Sequence, residues 1–486
     1  MNTEQIESPA SQLIEAYRRE IRALKGQRID LLNIEENVMR LLARLGAEMI
    51  SEAMKLADSE SAEVVIDGER WGNRRVFPGT YESLFGAIKL ERSVYQQSGK
   101  GRVAVVMDYR LGIVEGYTPK MARILSRSVA VMTADEGAGF LKEVGVAQVS
   151  SATLTRIPKL MATRCELKRV AIEEAIRAQE ELPCDAVTVQ VGIDGVMVPQ
   201  DGELAKPRGP KSEEAHRPRH EAKYGCAVPE GPAKNDATLG RAWHEASVGT
   251  VAFFDAEGKR LRTIYAARMP ESSKKTTVET IEAELLSSLK ECPTLNVVFA
   301  SDGAAAQWTA LEGIKSRLPA NCTGHTMCLL DAYHAAEYVQ KAANAIKGKD
   351  TPEARVLACT WRETLKECAD GAQTVIRSMR GMVGRLESQR ARDEVSVAIA
   401  YLAKQHASGR MNYAEAKERG YPIGTGITEA AAKTMVGTRM KRAGARFSQA
   451  GGQTVMLFRA ALLSDRFEAL HEQIHLDYRK DVRLAA

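Results

Sequence analysis

Three acidic residues, far apart along the chain, lie in segments that a fold could bring together: Asp194 in GIDGVMVP, Asp302 in FASDGAA and Glu429 in GTGITEAAAK. Carboxylate oxygens are hard ligands, and Mg²⁺ or Mn²⁺ takes two or three of them while keeping several waters. Two such ions roughly 3.5–4 Å apart can activate an attacking oxygen and stabilise a leaving one, as phosphodiester cleavage requires. Each acid also has a plainer reading by itself. Asp194-Gly195 between valine-rich runs matches a type I′ hairpin turn. Asp302-Gly303 after a buried strand can start a loop or cap the next helix. Glu429 near a helix start is favoured there by the helix dipole. Their joint meaning depends on the elements that carry them.

Those elements follow from hydrophobic periodicity. AVTVQVGIDGVMVP is a strand, and EASVGTVAFFD and LRTIYAARM are two more. TTVETIEAELLSSLKEC keeps Val278, Ile281, Leu285 and Leu289 on one helical face, and NVVFASDG is a short buried strand ending at Asp302. A helix through Leu311, Ile314 and Leu318 comes next, and HTMCLLDAYHAAEYVQKAANAIKG passes from strand into helix. Three strands, helix, strand, helix, strand is the order of a ribonuclease H-like core. Such a core offers acids from its first strand, from the end of its fourth strand and from a late helix. The fold class expected is therefore α/β, a ribonuclease H-like mixed sheet with a helical insertion, behind helical and small β-rich N-terminal regions.

Seven regions are expected. They are an N-terminal helical region (1–60), a small β-rich one (61–130), a helix-turn-helix-like one (131–180), a first core part (181–349), a helical insertion (350–420), a second core part with the glutamate helix (421–470) and a tail (471–486). In the first, Ile34, Val38, Leu41, Leu42, Leu45, Met49, Ala53 and Leu56 make an apolar helical face that needs a cover, a dimer partner or the next domain. In the third, Thr133 or Asp135 caps one helix, Gly145 breaks it, and Ser150 or Ser151 caps a second. This pattern would set Arg156 and Lys159 near a major groove, or be an ordinary helix pair, and Pro158 counts against a clean recognition helix.

Composition sets outer bounds. A formal charge of +5 permits nucleic-acid binding without requiring it. No run approaches the ~20 apolar residues of a membrane span, and the N-terminus lacks a signal-peptide pattern, so a cytoplasmic protein without membrane contact is expected. The 8 cysteines form no CxxC pair and read as reduced thiols. Cys322, His325 and Cys328 lack a second pair at finger spacing, so zinc is not expected. No phosphate-loop motif is present, hence no nucleotide cofactor.

VGIDGVMVP, VFASDGAAAQW, LLDAYHAAEYV and IGTGITEAAAKTMVGTRMKRAGARFSQAGGQTVMLFRA resemble the motifs of insertion-sequence DDE transposases of the ISKra-type group, related to the Mutator-like assemblage. The resemblance spans roughly residues 75 to 470. It implies a bacterial, nucleoid-associated transposase that holds two Mg²⁺ (or Mn²⁺) ions with Asp194, Asp302 and Glu429 as its catalytic triad. Its partners would be double-stranded DNA, at the element's terminal repeats and at the target, and a further copy of itself. Asp331-Ala332-Tyr333-His334 resembles the DxxH or CxxH element of related transposases. Asp331 and His334 would be auxiliary groups orienting ligands or DNA, or Asp331 a direct ligand in place of Asp302. Arg439, Lys441, Arg442 and Arg446 would form a cationic stripe for phosphates if the helix persists, or a solvated face. The basic stretch 206–223 either touches DNA or is disordered. The alternatives are a non-catalytic, domesticated DNA-binding regulator and a ribonuclease H-like nuclease without strand transfer.

Overall fold

The computed structural model describes residues 14–15, 17–19, 21–23, 30–97, 101–145, 148–200, 242–442 and 445–485. The basic stretch 206–223 lies outside these residues. The chain is mixed α/β with two five-stranded sheets, and it divides into two units, Met1–Leu167 with Ala469–Ala486, and Lys168–Glu468.

The first unit begins with α1 (Leu31–Lys55), whose N-terminal amide at Asn33 donates to the Asp30 side chain. Of its apolar face, Met54 is buried against Tyr81, Ile88 and Leu90, with Ala47 and Ile50 beside it. Leu42, Met49 and Leu56 stay exposed, so the described residues of the chain cover only the C-terminal part of the helix. The strands β1 (Val64–Ile66), β2 (Glu69–Ser83), β3 (Gly86–Gln96) and β4 (Val103–Val105) follow. They form one sheet in the order β10-β1-β2-β3-β4, where β10 (Val482–Leu484) pairs antiparallel with β1. Next come α2 (Val106–Leu111), α3 (Pro119–Val131), α4 (Ala134–Glu143) and α5 (Ser151–Leu167). Thr133 caps α4 in a reciprocal box with Glu136, and Gly145 ends it with φ +67°. Leu154, Ile157, Pro158 and Met161 form the buried face of α5.

The second unit holds α6 (Arg169–Arg177), then β5 (Thr188–Gln200), β6 (Ala242–Phe254) and β7 (Arg260–Arg268). These strands are followed by α7 (Lys275–Glu291), β8 (Asn296–Ser301), α8 (Ala305–Ser316), β9 (Thr326–Leu330) and α9 (Ala332–Lys347). The sheet order is β7-β6-β5-β8-β9, with β5 antiparallel to β6 and parallel to β8, and β8 parallel to β9. Side chains alternate across a strand. Val189, Val191 and Ile193 of β5 pack with Val297 and Phe299 against Ile281 and Leu285 of α7 and Trp308 and Leu311 of α8. The opposite face is left for later elements.

Between 350 and 420 the described chain is helical: α10 (Pro352–Glu367), α11 (Gly371–Val383), α12 (Gln389–Ala407) and α13 (Tyr413–Glu418). Trp361, Val375, Met379, Val395 and Leu402 give these helices a core shared with Ala335, Val339 and Ala342 of α9. The chain then returns to the open sheet face through α14 (Gly426–Ala431), a π-helical turn (Ala432–Gly437) and α15 (Thr438–Met440). Together with α16 (Gln449–Leu463), these bury Ala431, Met435, Met440 and Met456 on Val198, Ala246 and Val248. The helix α17 (Phe467–Tyr478) follows.

A buried ion cluster ties α6, α7 and the residues after α16. Arg466 donates to Glu180 (2.8 Å) and to both oxygens of Glu284 (2.8 Å each), while Arg177 lies 3.3 Å from Glu284. Burial works against the Arg466 charge, but hydrogen bonds to Glu284 and Glu180 outweigh it and hold its pKa above the ordinary value. Removing one partner leaves an uncompensated charge in a low dielectric. Arg466→Met is therefore expected to lower stability by about 3 kcal/mol in urea unfolding. Adding Glu284→Gln should recover part of that loss, and full stability in the single variant would contradict this account.

Candidate active site

Asp194 lies inside β5, paired with Val248 of β6, and Gly195 pairs with Ser247. The strand continues through both residues, so Asp194-Gly195 is not a hairpin turn. Strand alternation puts Gln190, Gly192 and Asp194 opposite the valine face, toward the segment that carries α14. Gln190 Nε2 donates to the Gly424 carbonyl (3.0 Å). A Cβ at Gly192 would overlap Thr428 Oγ1 and stand 3.4 Å from the Ala300 carbonyl. The hydroxyls of Thr428 and Thr250 hydrogen-bond at 2.7 Å. One point thus joins β5, β6, β8 and α14. Asp194 stands two residues beyond it, Asp302 two residues beyond Ala300, and Glu429 one residue beyond Thr428.

The electrostatics agree with that convergence. The Asp194 carboxyl is pushed above its ordinary pKa by burial, and further by the negative charges of Asp302 and Glu429. A hydrogen bond from Gly195 N and the charge of Lys274 pull the other way. Local donors occupy the other acids. Asp302 Oδ1 accepts from Ala304 N (3.1 Å) and Ser301 Oγ (3.4 Å), and Glu429, half-exposed, lies 3.8 Å from Lys433 Nζ. As these side chains lie, no group of three or more His, Cys, Asp or Glu among the described residues is gathered closely enough to hold a metal ion. The donor set itself, three carboxylates around one sheet end with no sulfur, fits a hard divalent cation.

Asp331 has a different part. It is buried, and its Oδ1 accepts from Tyr333 N (2.6 Å) and His334 N (3.0 Å), the N-terminal amides of α9. Its Oδ2 accepts from Thr425 N (2.6 Å) and from the Thr425 hydroxyl. An ionised carboxylate has about four acceptor sites, and all are taken. This leaves Asp331 as a cap and tether, and does not support it as a direct ligand in place of Asp302. Its own amide donates to the Ser301 carbonyl (2.9 Å), so the residue links the strand end before Asp302 to the loop before Glu429. The His334 ring packs edge-on against Tyr338 and Tyr401.

The proposed basic stripe is altered. Arg439 is buried at 4% exposure, because i+4 from Met435 puts it on the packed face. The helix ends at Met440 after the π-helical turn, so Arg439, Arg442 and Arg446 do not form one helical row. Lys441, Arg442 and Arg446 are exposed. In the first unit, Arg156 and Lys159 lie on the exposed side of α5, Arg156 paired with Glu115.

Two residues near the acids carry no sequence signal. Tyr401, from α12, donates its hydroxyl to the Asp302 carbonyl (3.2 Å). Burial, reinforced by the neighbouring Tyr338 and Asp302 charges, pushes its pKa up, so it remains a donor. Lys274 stands beside Asp194 although it is far from it in sequence. Compared with known proteins, the chain matches no family model and no curated relative.

Asp331→Ala is expected to free the Thr425 loop and uncap α9, costing about 3 kcal/mol. Hydrogen exchange should then quicken in 423–429 and at the start of α9. Unchanged protection there would count against the tether.

Proposed function

We propose that the chain is a DDE transposase with a ribonuclease H-like catalytic core, binding the ends of an insertion sequence, cutting them and joining them to target DNA. The strand order β7-β6-β5-β8-β9, with β5 antiparallel to one side and parallel to the other, supports the fold. The observation that carries the activity is the meeting at Gly192, which brings the strand of Asp194, the strand end of Asp302 and the helix of Glu429 to one place. A helical segment whose core is shared with α9 stands between the second and third acids, in line with what the resemblance implies.

In this reading Asp194, Asp302 and Glu429 hold two Mg²⁺ or Mn²⁺ ions. When bound, these ions supply Lewis-acid activation of water and stabilise the leaving oxygen. Water adds to the phosphorus at the element's end and the 3′ oxygen leaves, giving a free 3′ hydroxyl. That hydroxyl attacks a target phosphodiester in line, and the target's own 3′ oxygen leaves in turn. Partial burial and the charges of Asp302 and Glu429 hold Asp194 a weaker acid, and bound cations would offset those charges. Exposed Lys441, Arg442 and Arg446 neutralise nearby phosphates, and Arg156 and Lys159 contact the duplex from α5. Joining two ends calls for at least two copies of the chain.

Duplexes tiled across the DNA flanking the gene provide the test. The wild-type protein should nick one of them with Mg²⁺ and yield strand-transfer products. Asp302→Asn should keep duplex affinity within about threefold while cleavage falls by at least about 1000-fold. Nicking without joined products would favour a nuclease, binding without nicking a regulator, and full cleavage by the variant would remove Asp302 from the site.

A further inference from the structure

Two successive non-glycine residues, Ser273 and Lys274, hold left-handed backbone conformations, with φ of 56° and 52°. In that region Cβ crowds the following carbonyl, so such residues persist only where surrounding packing over-determines them, and they cluster at functional sites. Here the packing comes from α7, which begins right after Lys274. That helix is seated hard on β6. Ile281 Cγ2 and Thr277 Cγ2 lie 2.6 and 3.0 Å from where a Cβ at Gly249 would stand, and the Ser247 and Thr277 hydroxyls bond at 2.6 Å.

The bent pair then turns the Lys274 side chain back over β5. Its Nζ lies 3.3 Å from Glu245 Oε1 and would be 2.9 Å from a Cβ at Gly195. Only 12% of the Lys274 side chain is exposed, against 51% for Glu245. The fold therefore delivers an ammonium group, together with its partner carboxylate, which lies nearer, to the residue next to Asp194. An ion pair with a half-exposed carboxylate contributes little, because water and salt screen it. A pair of that strength does not account for two strained residues in a row. A largely covered lysine is, however, a compact cation with three donors, suited to a phosphate oxygen.

We propose that Lys274 is a phosphate-binding residue of the acidic site, exchanging Glu245 for a non-bridging oxygen of the DNA phosphate held beside Asp194. The inference rests on the reading of the site as a phosphodiester-cleaving centre and adds a residue to it. No proton or covalent bond changes hands: the ammonium donates hydrogen bonds as charge develops on the phosphoryl oxygens. Glu245 keeps the lysine in place when no DNA is present.

The experiment uses the full chain and a flanking duplex that the wild type cleaves, with Mg²⁺ for cleavage and Ca²⁺ for binding. Lys274→Gln should slow single-turnover cleavage about 100-fold at saturating DNA. It should also reduce the slope of log affinity against log salt by about 1, with Lys274→Arg restoring part of both. Glu245→Gln leaves the cation and removes the carboxylate that competes with phosphate for it, so it should lower neither rate nor slope. Wild-type behaviour of Lys274→Gln would overturn the proposal, as would equal defects in the two variants, which is what a purely structural ion pair gives. Should the wild type cleave no duplex with any divalent ion, the reading of the site falls and this inference with it. Cleavage by the wild type with an unaffected Lys274→Gln sinks the inference alone.

Discussion

The contact between Gly192 and Thr428 sets how near a late helix can lie to the central strand of the second sheet. With no side chain at 192, the Thr428 hydroxyl occupies the space a Cβ would take and bonds Thr250 across the next strand. Any larger residue would lift α14, and with it Glu429, away from β5. The Asp331 carboxylate complements this contact from the side. It draws the Thr425 loop onto the first turn of α9, and its amide holds the Ser301 carbonyl just before Asp302. Two short-range contacts thus decide where three distant acids stand.

Bringing like charges together costs energy that local donors only partly relieve. Asp194 accepts from the Gly195 amide, Asp302 from Ala304, and Glu429 leans toward Lys433. Each acid thus has a partner in its own neighbourhood. A rigid scaffold is what keeps them near each other despite this. The valine face of β5, buried on α7 and α8, and the buried Arg466 cluster supply that rigidity within the same unit. Stability is gathered away from the acids, and the acids use it.

The sequence made the second sheet legible because its strands are long, valine-rich and separated by helices of clear period. The acids at 194, 302 and 429 stand out only by their order on those elements, since each motif alone has a plainer meaning. Asp-Gly at 194 matches a hairpin signal, yet pairing with β6 runs through it, since tertiary context outweighs a dipeptide preference. Arg439 misled because it follows Met435 by four residues and so shares its packed face, and because the helix ends at Met440, before Arg442 and Arg446. Lys274 and Tyr401 gave no signal at all. Their positions arise from a backbone bend and from a helix packed against the end of β8, neither of which leaves a spacing in the chain. The N-terminal helix showed its apolar face plainly, but a face does not say what covers it.

The helical segment between the second and third acids is more than a spacer. Its core is continuous with α9, whose first turn is capped by Asp331, and α12 sends Tyr401 to the Asp302 carbonyl. A helix that forms the floor of one subdomain and the capped edge of the acidic site couples the two, because loosening its packing also loosens the cap. Asp302 is then held from two directions, by Ser301 through Asp331 and by Tyr401 through the insertion. These contacts fix the backbone at Asp302, while its carboxylate stays bonded to the Ala304 amide. On that account, the helical segment belongs to the architecture of the candidate site, and its position just before α14 lets one folded block set the approach of Asp302 and Glu429 at once.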